Sequence, residues 1–91
     1  MDLDEMKRRG DYAARMMAEP LFQEAFATLN AEFMSAWENC TDKEERDRIW
    51  FAVRNLKRLY QFFETVLDDG KVAAAQILAE EEKRKRTRKV A

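Results

Sequence analysis

The sequence predicts an all-α protein built on an antiparallel helical hairpin, with a shorter N-terminal helix and a C-terminal helix that ends in a basic tail. Three observations carry that expectation. Only two glycines and one proline interrupt 91 residues rich in helix-forming Ala, Leu, Met, Glu, Lys and Arg. Two stretches, about 20–39 and 42–68, repeat apolar residues at steps of three and four. A short polar break with helix-starting residues separates them.

Taken in order, the first helix spans residues 2–18, with Leu3, Met6, Gly10, Ala13 and Met17 on one stripe. An interior glycine costs a helix about 1 kcal/mol relative to alanine, and an isolated helix this short is marginal in water. This segment therefore needs a docking surface. Pro20 marks a boundary, because proline suits a first helical turn and disfavours helix in the residue before it.

The second helix carries Phe22, Phe26, Leu29, Phe33 and Trp37 on one face, with Gln23, Glu24, Asn30, Glu32 and Glu38 largely on the other. Asn39-Cys40-Thr41-Asp42 breaks the period. Thr41 with Glu44 reads as a capping box that opens the third helix, and Asp42 and Glu45 complement its positive end. That helix holds Ile49, Val53, Leu56, Tyr60, Phe63 and Leu67 in strict four-three alternation. Asp68 and Asp69 suit a helix end poorly, and Gly70 reads as a left-handed stop. The last helix restarts at Val72-Ala73-Ala74-Ala75 and dissolves into charge, which sets a helical domain over 1–79 apart from a charged, partly disordered tail over 80–91.

A turn this short forces the two long helices antiparallel. One register then sets Phe33 on Ile49, Leu29 on Val53, Phe26 on Leu56 and Phe22 on Tyr60, each pair summing to the same index. The longer third helix overshoots its partner and leaves Phe63 and Leu67 in need of cover. Phe51, Leu59, Phe62 and Val66 form a second apolar stripe beside the first. The first and fourth helices would cover it in a compact bundle. A small monomer has a thin core, however, which favours reading Phe51, Leu59, Phe62, Phe63, Val66 and Leu67 as a protein interface, in a homo-oligomer or with a host protein.

The chemistry of the chain argues against catalysis. It has no histidine and one cysteine, Cys40, so a zinc site or a nucleophile–base pair is not predicted. No glycine-rich phosphate loop occurs, and the paired acids Asp68-Asp69 and Glu80-Glu81-Glu82 read as solvated charge. No cofactor and no small-molecule substrate are expected. A lone thiol points to a reducing compartment, and no apolar run approaches the ~20 residues that span a bilayer. A cytoplasmic protein that does not enter membranes is the expectation, with a virion as the other place for it.

The net charge of −1 conceals a gradient. Residues 1–40 carry eight acids and four bases, whereas residues 70–91 carry three acids and seven bases. Lys83, Arg84, Lys85, Arg86, Arg88 and Lys89 are the candidate nucleic-acid contacts, able to neutralise phosphates without reading sequence. The alternative is a solvated helix end whose cations complement the dipole and pair with Glu80, Glu81 and Glu82. No aromatic residue interleaves these cations, so base stacking is not indicated.

Arg9-Gly10, Pro20, Gln23-Glu24-Ala25-Phe26, Ala36-Trp37, Arg46-Asp47-Arg48-Ile49-Trp50, Val66, Gly70-Lys71, Ala73 and Gln76 occur in an order that resembles small helical proteins of tailed bacteriophages and prophages. The resemblance covers about residues 8–78 and rests on packing and turn residues. It implies a fold and an origin, and it carries over no catalytic residue. Three roles accord with it: a DNA-packaging or virion accessory factor, an inhibitor or adaptor that binds a host defence protein, and a structural part of the capsid or neck.

Overall fold

The computed structural model describes residues 1–90 and the side chains of residues 1–88. Every regular element among them is α-helix: α1 over Leu3–Ala18, α2 over Pro20–Asn39 and α3 over Lys43–Val90. Asp2 starts α1, its carboxylate accepting from the Glu5 amide at 2.7 Å and its carbonyl from the Met6 amide at 3.0 Å. Pro20 begins α2, where its missing N–H costs nothing. The Gln23 side-chain amide donates to the Met17 carbonyl at 3.0 Å and so occupies one acceptor that the end of α1 leaves free.

Two expectations are corrected at α3. The capping residue is Asp42, not Thr41: the helix opens at Lys43, and the Asp42 carboxylate accepts from the Glu44 amide at 3.3 Å. Aspartate caps at least as well as threonine, so a start one residue later costs little. The helix also does not stop at Gly70, and residues 71–90 are not a separate helix. No glycine has a positive φ, so Gly70 turns nothing. Its neighbours Asp68 and Asp69 accordingly lie far from any helix end and meet no dipole penalty.

The chain divides into two compact units, Met1–Arg15 with Glu64–Ala91, and Met16–Phe63. In the first, α1 meets α3 through glycine against glycine. A Cβ built on Gly10 would stand 2.6 Å from the Gly70 Cα and 3.3 Å from the Val66 carbonyl. One built on Gly70 would stand 2.5 Å from the Gly10 Cα and 3.2 Å from the Met6 carbonyl. Ala13 and Ala73 are buried alongside. The surrounding segments share a frame with inverted charge, Arg8-Arg9-Gly10-Asp11-Tyr12-Ala13-Ala14 and Asp68-Asp69-Gly70-Lys71-Val72-Ala73-Ala74. Arg9 and Asp69 border the same hollow, together with Met1, Met6 and Val66. The mid-helix glycines that weaken each helix alone are what let the two backbones touch.

In the second unit, α2 meets the first part of α3 through aromatic rings. Phe22 lies 5.1 Å from Phe63 and 6.4 Å from Tyr60, and Phe26 lies 5.2 Å from Tyr60, ring centroid to centroid. At the far end of α2 the Arg46 guanidinium sits 4.1 Å over the Trp37 ring. The Phe22–Tyr60 contact is as expected, but Phe26 also reaches Tyr60, and Phe22 covers the Phe63 ring expected to lie uncovered. Helical side chains lean toward their own N-terminus, so facing residues meet at slightly higher numbers than backbone levels suggest. Val53 is the one buried apolar side chain of this unit among the described residues, and Leu29, expected to oppose it, remains 41% exposed.

Candidate interaction surfaces

Among the described residues the fully buried apolar side chains are Ala13, Val53 and Ala73, and no large side chain is fully enclosed. The apolar stripes therefore pack only on one side, and the rest faces outward. Phe51, Leu59 and Phe62 are 61%, 52% and 56% exposed. These three share a face of α3 turned away from the one that holds Val53, because at about 100° per residue they lie roughly 120–180° around the helix from it. Phe62 is not loose. Its ring meets Phe63 edge to face at 5.8 Å, and Phe63 is itself held by Phe22.

The other three interface candidates are placed differently. Phe63 is half-buried in the ring cluster with Phe22. Val66 and Leu67 are half-buried in the other unit, where the Val66 carbonyl backs the glycine crossing. Burial thus separates an outward trio, Phe51, Leu59 and Phe62, from residues engaged in packing. Two polar members of the outward face, Arg48 and Asn55, escaped a reading that counted only apolar residues, and both are exposed. Trp50 is half exposed on another side of the same helix.

The basic segment is helical. Lys83, Arg84, Lys85, Arg86 and Arg88 are all exposed on α3, while the Lys89 side chain lies outside the described residues. Glu80, Lys83, Arg84, Thr87 and Arg88 share one face, the spacing that 3.6 residues per turn dictates. The Thr87 hydroxyl is turned back along the helix, donating to the Lys83 carbonyl at 2.9 Å. Glu80, Glu81 and Glu82 each precede a cation by four residues, the order that supports a helix.

Cys40 is half-buried in the turn between α2 and α3, with its thiol donating to the Asp42 carbonyl at 3.5 Å. Among the described residues no cluster of Cys, Asp or Glu is arranged to hold a metal ion, and no helix is long and apolar enough to cross a membrane. Comparison with protein-family models, with curated proteins and with solved structures found no match.

Proposed function

We propose that this chain is a non-enzymatic accessory protein that self-associates through an antiparallel hairpin of α2 and the first half of α3, and whose basic helix end contacts a nucleic-acid backbone. The observation that carries the first part is the outward trio Phe51, Leu59 and Phe62 on α3, next to a core that encloses no large side chain among the described residues. Exposed apolar surface of that kind is stabilised by a partner surface. The second part is supported by the cations of residues 83–88, exposed along α3. The resemblance to small proteins of tailed phages makes DNA packaging or virion assembly the setting in which both features have a use.

Two measurements test the reading. Light scattering of the purified chain is expected to give a mass that is a multiple of 10.8 kDa. Titration into duplex DNA at low and at moderate salt is expected to show affinity that falls steeply with salt and ignores sequence. A monomer without salt-dependent DNA affinity removes the proposal. A monomer captured by one host protein through Phe51, Leu59 and Phe62 would replace it with an inhibitor or adaptor.

A further inference from the structure

The outward face of α3 has an internal symmetry that specifies its occupant. Arg48, Phe51, Asn55, Leu59 and Phe62 are spaced by three, four, four and three residues, a pattern that reads the same in both directions about Asn55. All five are exposed and all belong to the same compact unit. At about 100° per residue they fall within an arc of about 80°, so they form one seam.

We propose that this seam pairs with its own copy, antiparallel, about a two-fold axis at Asn55. The inference rests on the self-association reading and fixes its geometry. A two-fold interface presents the same patch from both partners, so residue i meets j and j meets i. Reversal about Asn55 sets Phe51 on the second copy's Leu59, Arg48 on its Phe62, and Asn55 on its Asn55. Each meeting is chemically favourable. Phenylalanine against leucine closes the apolar exposure on both sides. The guanidinium of Arg48 lies over the face of a phenyl ring. Two opposed asparagines each supply an amide donor and a carbonyl acceptor, which satisfies both in an otherwise apolar seam.

A parallel pairing of the same seam sets Arg48 against Arg48, a like-charge contact that the reversed arrangement avoids. A single asparagine within an apolar seam also fixes register, because any slip leaves its amide facing a side chain that cannot bond to it. The quantity of surface is adequate. With side chains of ~200 Å² each, two copies of the half-exposed trio hide about 600 Å², and the Arg48 and Asn55 stems of both copies carry the total toward the roughly 1,000 Å² of a specific interface.

Disulfide trapping in the full-length Cys40→Ser chain tests the geometry, because a bridge forms only between Cα atoms within about 7 Å. Asn55→Cys is expected to form a covalent dimer on mild oxidation. Phe51→Cys and Leu59→Cys are each expected to stay uncrosslinked alone and to crosslink when mixed. Self-crosslinking of Phe51→Cys and of Leu59→Cys would show parallel pairing and overturn the inference. An oligomer by light scattering that yields none of these bridges overturns this seam while leaving self-association standing. A monomer overturns both. All three positions face outward, so none of the substitutions disturbs a packed side chain.

Discussion

Gly10 and Gly70 cross so closely that a β-carbon built on either would stand 2.5–2.6 Å from the other's Cα. Alanine at an open helical position stabilises by about 1 kcal/mol relative to glycine. At this crossing the sign reverses, because the obstacle is backbone and cannot rotate aside. Gly70→Ala is expected to destabilise by about 1–3 kcal/mol, the usual cost of overpacking. Thermal unfolding with hydrogen exchange checks it, and diminished protection confined to α1 amides is the expected signature. A higher melting temperature would show that α1 does not seat on α3.

Asp42 and Thr41 compete as the start of α3, and the geometry assigns the cap to Asp42. Asp42→Ala should lower stability by about 1 kcal/mol, and Thr41→Ala should change it by only a few tenths. Urea midpoints for the two variants decide between them, and the reverse order would restore the Thr41 capping box.

The Arg46 guanidinium over Trp37, at 4.1 Å, ties the end of α2 to the start of α3. Both residues are half-buried, so a coupling of about 0.5–2 kcal/mol is expected. A double-mutant cycle of Arg46→Gln and Trp37→Leu measures it directly. Independent effects that simply add would mean that the stacking contributes nothing.

Leu59→Glu places a charge in the outward trio without touching the packed face. Light scattering is expected to give a monomer, with helicity by circular dichroism unchanged. A variant that keeps the parent mass would place the contact elsewhere on the molecule.

Neutralising Lys83, Arg84 and Arg88 to Gln removes three cations from one face of α3. The slope of log affinity against log salt should become shallower by about 0.9 for each phosphate that is no longer neutralised. A slope that stays the same would assign those cations to solvation of the helix end.

Helix positions were legible in the sequence wherever a local signal had a single meaning. Pro20 and the Phe22-to-Trp37 stripe fix α2 at Pro20–Asn39, the bounds the spacing predicts. Gly70 carried two meanings, a left-handed stop or a close approach, and two aspartates before it favoured the wrong one. The deciding partner, Gly10, lies sixty positions away, and only tertiary contact can bring it into the argument. The outward face was legible in part. Phe51, Leu59 and Phe62 stood out by hydropathy, whereas Arg48 and Asn55 join them only through their position on the finished helix. Val66 and Leu67 looked equivalent to that trio because periodicity along α3 does not reveal where α1 sits.

The glycine crossing has a thermal consequence. Glycine and alanine have no rotamers to surrender, so the backbone contact at the centre of this joint costs no side-chain entropy and is held by dispersion between atoms in contact. The rings of Phe22, Phe26, Tyr60 and Phe63 depend instead on expelling water, a drive that fades as temperature falls. Chilling should therefore slacken the aromatic cluster more than the glycine contact, so that the two ends of one helix respond to cold to different degrees.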